Sequence, residues 1–419
     1  MPGGFITSGC SPIVYTADAF PEEYRSNTIM CDPANNLMHR DRLEQNGSVF
    51  KAVRADLKSE FLASTDNWFR PVALAIGPDG ALYVADFYRE AIETPLSLPE
   101  DIKKQVNVET CGRGRIWRIS RQGHGPGAHP DLSRQSSAEL VGALVRPNPW
   151  WRLTAQRLLV ERQAKEVVPA LIKLAESSAL PQGKAHALWT LQGLDALPVN
   201  AVLKGLSDAS AGVRIQALIL AEPLAAKSPA VRAKLAEAAK DTDSMVRFQA
   251  ALSLGAVSSD ERTSALGELL QRADSDSWTI TAALSSANGQ EIALLKQLMN
   301  ASSSQGAGAK RTAEVVRRLA ALVATKGVES ELATCLGMVS SKEAKPSPLQ
   351  PALIEGISDG LTRSGHSLKS WWNKPPRGLE AGIDSLRQLM VQAGKTARDA
   401  KQSLERRESA VRLLRSAPY

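Results

Sequence analysis

The chain has 419 residues, 43% of them apolar, 23% charged and 5% aromatic, with a formal charge of +7. That balance describes a folded chain of two or three domains, and the interspersion of Lys and Arg with acids, with no long block of one sign, argues against a nucleic-acid scaffold. No apolar run reaches the ~18 residues of a membrane span, and the opening MPGGFITSGCSPIVY has no cationic n-region and no signal-type cleavage site.

The first 120 or so residues read as β structure. Cys10–Tyr15, Thr28–Cys31, Leu37–Leu43 and Val49–Ala55 are short strand candidates, separated by turn residues at Phe20-Pro21-Glu22, Asp32-Pro33-Ala34-Asn35 and Gln45-Asn46-Gly47. Pro71–Gly77, Ala81–Asp86 and Arg115–Ile119 continue the pattern. Between the first two of these, Gly77-Pro78-Asp79-Gly80 predicts a hairpin built on a type I turn, with Pro presetting φ and Gly closing the turn. Leu98–Val106 opens with Pro-Glu-Asp and predicts a short helix inserted in a loop. Together the strands amount to the last one or two blades of a β-propeller. Closure takes about four to eight blades, so the β region is expected to be the end of a larger domain.

Cys10, Cys31, Cys111 and Cys335 stand far apart and never form CxxC, which speaks against zinc; CxxCH, the c-type haem attachment signal, is absent from the sequence. Two states are open to Cys10 and Cys31: a disulfide in an oxidising compartment, or two buried thiols.

Gln122–Pro130 is rich in Gly and Pro and predicts a linker, giving a β region over 1–121, a connection over 122–135 and a helical region over 136–419. Self-comparison of the helical part aligns Arg152–Leu159, Lys184–Leu191, Val213–Leu220, Val246–Leu254 and Trp278–Ser286. Ala155, Ala187, Ala217, Ala250 and Ala282 fall at equivalent places, spaced 32, 30, 33 and 32 residues. Each unit adds a second helix: Val167–Glu176, Pro198–Leu206, Pro229–Ala239, Ser258–Arg272 and Glu291–Met299. A period near 30 with two helices per unit predicts an α-α superhelix of HEAT type, in which stacked pairs share one core. Arg311–Ala324, Leu349–Leu361 and Gly378–Ala393 continue it less regularly, and Ser403–Arg415 reads as a first helix still awaiting its partner. The expected architecture is therefore multidomain, β first and all-α second.

Within the helices nothing reads as catalytic. His186 and Trp189 are expected in the core, Trp150-Trp151 against the β region, and Arg214 with Arg247 in an inter-repeat hydrogen-bond ladder. Trp371-Trp372-Asn373-Lys374-Pro375-Pro376 is expected to be an irregular insertion, either a structural wedge or a partner contact.

Three segments, CDPANNLMHRDRL (Cys31–Leu43), EFLASTDNWFRPVALAIGPDGALYVADFYREAIE (Glu60–Glu93) and GRGRIWRI (Gly112–Ile119), resemble the last blades of a membrane-bound dehydrogenase family of planctomycetes and verrucomicrobia. Its propeller is similar to that of glucose/sorbosone dehydrogenases, which use pyrroloquinoline quinone (PQQ); HEAT repeats and a c-type cytochrome domain commonly follow. The resemblance covers roughly residues 5–120, and the early blades and the CxxCH are missing from this sequence. It implies oxidation of a sugar-like alcohol or aldehyde, electrons passing to a c-type cytochrome, PQQ with Ca²⁺ as cofactors, and haem c in the complete protein, which would be periplasmic or membrane-associated. The catalytic base would fall in the missing blades. For cofactor binding the candidates are Arg70, His39, Arg40, Asn35 and Asn36; for substrate binding, Asp86, Tyr88 and Arg89. Each has a structural alternative. Asn35 and Asn36 suit a turn, and His39 and Arg40 must face opposite sides of a strand. Arg70 either reaches an anionic cofactor or locks two blades together, and Asp86 either caps its loop or meets ligand. A non-catalytic reading stands beside the dehydrogenase: a HEAT module that binds a protein or polysaccharide.

Overall fold

The computed structural model describes residues 6–92, 94–107, 109–127, 130–257, 260–300, 307–340 and 349–415. The predicted helix start at Ser258 and part of the Gly/Pro connection lie outside the described residues. The chain divides into two compact units, residues 1–213 and 214–419.

The first unit opens with two antiparallel sheets. One is a meander of β1 (Cys10–Val14), β2 (Asn27–Asp32), β3 (Leu37–Asn46) and β4 (Val49–Arg54), with the short β5 (Leu62–Ala63) pairing with the start of β3. Pairing of β3 with β4 runs on to Asn46↔Val49, so the expected turn shrinks to Gly47-Ser48, with Gly47 at φ 65°. The second sheet is β6 (Pro71–Ile76), β7 (Leu82–Asp86) and β8 (Arg115–Ile119), in that order. The helix expected over Leu98–Val106 is present but is trimmed to α1 (Glu100–Lys103). A single core lies between the sheets: Tyr15, Ile29, Cys31 and Met38 from one side, Leu82 and Val84 from the other, with Leu74, Ile76 and Ile119 packed against them. Alternation along the strands directs these residues to one face. Cys10 and Cys31 are register partners across β1 and β2, and both are free thiols in the structure. Burial raises both thiol pKa values, that of Cys31 to about 12.

The β6–β7 turn holds this unit together. Gly80 N–H donates to Gly77 O at 2.9 Å, closing a turn over Pro78-Asp79, and Gly77 N–H donates to Ala81 O at 2.9 Å. Gly80 sits at φ 77°, and an added Cβ there would stand 2.9 Å from Asp18 Oδ1, so only glycine fits without strain. A tight turn leaves carbonyls that its own hairpin cannot satisfy, and buried carbonyls need donors. Tyr15 OH donates to Gly80 O at 2.8 Å, Asn148 Nδ2 to Gly77 O at 2.9 Å and Pro78 O at 3.1 Å, and Trp151 Nε1 to Pro78 O at 2.9 Å. His124, from the Gly/Pro connection, lies 2.8 Å from Asp79 O through Nε2, and Arg118 pairs with the Asp79 carboxylate at 2.6 Å. The connection and the first helices are thus fastened to the sheets.

The helices of this unit are α2 (Ser137–Ala143), α3 (Pro149–Glu161), α4 (Val168–Ser177), α5 (Pro181–Gly193) and α6 (Val199–Leu206), with α7 (Ala211–Ala225) carrying the division between units. The repeat pattern does not contain α2, a short helix set by a capping box between Ser136 and Glu139. In the second unit come α8 (Pro229–Glu237), α9 (Ser244–Ser253), α10 (Asp260–Gln271), α11 (Ser277–Ser285), α12 (Glu291–Asn300), α13 (Ala307–Lys326), α14 (Glu329–Gly337), α15 (Gln350–Arg363), α16 (Leu368–Asn373), α17 (Glu380–Arg398) and α18 (Leu404–Arg415). The five repeat alanines are all buried. Three residues before four of them stands a cation that ties its repeat to nearby acids or carbonyls. In the first unit Arg152 donates to Arg146 O at 2.6 Å, and Lys184 pairs with Asp208 at 2.6 Å. In the second, Arg214 grips Asp241 with two bonds of 2.8 Å, and Arg247 reaches Asp241 O, Thr242 O and, at 2.9 Å, Asp274.

Of the segment expected to be an irregular insertion, Trp371, Trp372 and Asn373 are instead helical, whereas Lys374-Pro375-Pro376 is non-helical as expected. The helical residues belong to α16, with both indoles half-buried and the Arg387 guanidinium 5.8 Å from the Trp372 ring centre. Helices α13 and α15 approach closely. A Cβ on Gly356 would stand 2.2 Å from Arg317 O, and one on Gly360 2.4 Å from Ala321 O. Gly360→Leu is therefore expected to force these helices apart and destabilise the second unit by about 3 kcal/mol or more; an unchanged urea midpoint would contradict the packing.

Burial, and secondarily Arg152, pushes the His186 pKa down to about 4, while its Nδ1 lies 2.6 Å from Gln156 Oε1. An unfolded histidine titrates near 6.5, so between about 6.5 and 4 the unfolded chain binds the extra proton. The stability held above pH 6.5 is then lost as pH falls through that window. Thermal unfolding should show a steeper loss from pH 7 to pH 4 in the wild type than in His186→Gln.

Candidate functional site

Six of the eight residues singled out from the sequence come together at one end of the two sheets. There β2 leaves for β3, β6 and β8 begin, and β7 ends. Asp32, fully buried at the end of β2, accepts from Asn35 N at 3.2 Å, Asn35 Nδ2 at 2.8 Å and Thr7 N at 3.0 Å. Asn36 takes φ 56°, and its Nδ2 reaches Phe69 O at 2.6 Å and Asn67 O at 3.2 Å. Both asparagines thus do turn chemistry, and Asn36 also ties the two sheets.

Arg70, extended before Pro71 as the sequence requires, spans the same gap. Its guanidinium donates to Pro33 O at 2.8 Å on one side, and to Glu90 O at 2.7 Å and Arg89 O at 3.2 Å on the other. Burial lowers its pKa. Of the two roles open to Arg70, the geometry is that of a lock between sheets. Asp86 is 2% exposed; Oδ1 accepts from Arg70 N at 2.8 Å and Tyr88 N at 2.9 Å, and Oδ2 from Trp117 Nε1 at 3.0 Å. It caps the loop. Tyr88, at φ 44°, turns the chain, and its hydroxyl donates to Asp66 Oδ2 at 3.0 Å. Arg89 lies with its guanidinium carbon 4.6 Å from the Phe87 ring centre.

His39 and Arg40 are elsewhere, midway along β3, on opposite faces, and both buried. Asp41 and Glu60 flank the His39 ring at 3.0 and 2.8 Å. Arg40 is held bidentately by Asp56 at 3.0 and 2.8 Å, and lies 4.0 Å from the Tyr24 ring centre. The Asp56 hydrogen bonds raise its pKa further.

A quinone bearing three carboxylates calls for uncommitted cations or amides, and Ca²⁺ for converging oxygens. The groups of Arg70, His39, Arg40 and Asn36 described above are spent on internal partners. Among the described residues no group of three or more His, Cys, Asp or Glu is placed to hold a metal ion. These four residues therefore do not fit the cofactor.

The sequence reading passed over Asp66, Trp68, Arg113, Arg115 and Trp117, which complete the loop end. Arg115 lies 3.5 Å from the Tyr88 ring centre and 5.8 Å from that of Trp117, Arg113 lies 5.5 Å from that of Trp68, and the Trp68 and Tyr88 rings are 5.7 Å apart. The signal was present in GRGRIWRI, where Arg115 and Trp117 alternate onto one strand face.

Residues 2–123 match a family model described as a domain of unknown function, DUF7133, and residues 199–288 match HEAT repeats. The chain thus has an N-terminal DUF7133 domain followed by HEAT repeats, a two-sheet β region before a helical one. No curated protein matches it. HEAT repeats suggest a protein-binding surface, and among the described residues no helix is long and apolar enough to cross a membrane.

Removing the Asp86 carboxylate leaves three donors without their acceptor. Asp86→Ala is expected to cost about 2–4 kcal/mol, read as a lower urea midpoint followed by tryptophan fluorescence; an unchanged midpoint would show that water replaces the carboxylate.

Proposed function

We propose that this chain forms the closing blades and the partner-docking arm of a PQQ-dependent sugar or aldehyde dehydrogenase that passes electrons to a c-type cytochrome, in the periplasm or at a membrane. Three features support the reading: the resemblance of Cys31–Leu43, Glu60–Glu93 and Gly112–Ile119, a four-strand meander followed by a three-strand one, and the outer face of the second sheet. That face carries the observation that counts most. Ala73 and Ala75 are exposed and Ile116 is 76% exposed, with the small Ala85 beside them. Small and apolar side chains on an open sheet face suit cover by a further sheet, as between neighbouring blades. In this reading PQQ, Ca²⁺ and the catalytic base belong to blades other than these two. The loop end then faces the sugar through Tyr88 and Arg89, while Asp86 holds the loop.

A second reading, a HEAT module that binds a protein, is favoured by a groove of about 700 Å³ between α3 and α5. It is lined by Leu153, 59% exposed, with Trp189, Val160 and the Arg157–Glu161 pair. The two readings agree if the partner is the cytochrome.

Membranes and periplasm from the source cells should lose sugar-dependent dye reduction that requires PQQ and Ca²⁺ when this gene is deleted. Full retention would overturn the dehydrogenase. Leu153→Asp should abolish capture of a c-type cytochrome by the intact chain while leaving its unfolding midpoint in place.

A further inference from the structure

The face of the second sheet that covers the core continues past it. Register pairs Ile119 with Leu82, Trp117 with Val84 and Arg115 with Asp86, so these three β8 residues share the core-facing side. Ile119 reaches the core, whereas Trp117 is 43% exposed and Arg115 is exposed at the loop end. Here two guanidiniums lie on aromatic rings: Arg115 on Tyr88 and Arg113 on Trp68. Neither is ion-paired to a carboxylate within 4 Å among the described residues. Asp66 accepts from Trp68 N at 2.9 Å and Tyr88 OH at 3.0 Å, and these bonds, with a smaller contribution from the Arg115 charge, hold it below the usual carboxylate range; Asp86 is capped by its three donors.

Stacking on a ring fixes a guanidinium's plane while leaving its N–H edge free, which lowers the ordering cost of gripping a planar anion bidentately. Two such forks, one in the loop just before β8 and one at its first residue, suit an oxyanion carried on a larger ligand. The exposed part of Trp117 offers apolar surface beside them, of the kind that covers the C–H face of a sugar ring. Tyr88 has Arg115 on its ring and Trp68 next to it, so no open aromatic pair remains to sandwich a nucleobase.

We propose that Arg113, Arg115, Trp117, Tyr88 and Trp68 form a binding site for an anionic sugar chain, bearing carboxylate or sulfate groups. The site rests on the dehydrogenase reading only in making that sugar the substrate; the binding itself needs no redox chemistry.

The intact chain should bind immobilised polygalacturonate or dextran sulfate, and comparison of the two tells which anion it prefers. Affinity should fall steeply with salt, because each neutralised anion releases a counterion. Neutral dextran should bind at least ten-fold more weakly. The exposed double variant Arg113→Gln/Arg115→Gln should lose ten-fold or more in affinity for the anionic chains at an unchanged unfolding midpoint, and Trp117→Ala should weaken binding separately. Equal binding of neutral dextran, or wild-type affinity in the double variant, would overturn the site. Equally tight, equally Arg113/Arg115-dependent binding of poly-glutamate or single-stranded DNA would overturn the sugar class. If anionic chains bind but gene deletion leaves dye reduction intact, the site stands and the dehydrogenase falls; the reverse pattern removes the site alone.

Discussion

The carbonyls of one hairpin turn are what the first unit is built on. Gly77, Pro78, Asp79 and Gly80 each offer a backbone oxygen that the hairpin's strands do not use for pairing beyond the turn. Donors from Tyr15, Asn148, Trp151 and the His124 ring meet them from segments far apart in sequence. An acceptor left dry and unpaired costs more than a hydrogen bond returns. The connection and the first repeat are consequently held where those carbonyls point, and a composition typical of a flexible linker is here fastened to the sheets.

At the opposite end of the second sheet the same logic uses side chains in place of a turn. Arg70 and Asp86 satisfy each other's loops: one supplies donors to three carbonyls across the two sheets, the other accepts three N–H groups around the start of β8. A guanidinium with its donors spent on carbonyls is a fastener, and among the described residues no carboxylate pairs with its charge. These bonds tie together the loop end that also carries Arg113 and Arg115. Arg70 is thus the fastener, and the arginines of the proposed anion site, Arg113 and Arg115, are different residues.

The helical units depend on close approach. Buried alanines every thirty-odd residues, and Gly356 and Gly360 against α13, let backbones come near enough for carbonyls to touch the facing helix. Cations three residues before four of those alanines then bind carbonyls or carboxylates of nearby loops. Packing sets the distance, and the ion pairs and carbonyl contacts set the register.

Strand positions, the hairpin turn, the helix pairs and the repeat spacing were legible in the sequence because each follows from local chemistry: alternation, Pro and Gly at a turn, small residues at a fixed period. The helix α2 and the trimmed α1 were not, being too short for periodicity to register. The candidate residues were legible in kind but not in task. That Arg70 would lie before a strand between aromatics followed from its neighbours; which carbonyls it would meet followed only from two loops closing on each other. His39 and Arg40 read as facing opposite sides of β3, and they do, yet both are buried, and Glu60 and Asp56 reach them from a later loop and consume both. By itself, then, the sequence determined the order of elements, the β-then-α division and the repeat, all of which arise within a few residues of chain. Tertiary structure alone decided which charges are spent and which are free, because pairing of a side chain depends on partners that only folding brings within hydrogen-bond reach.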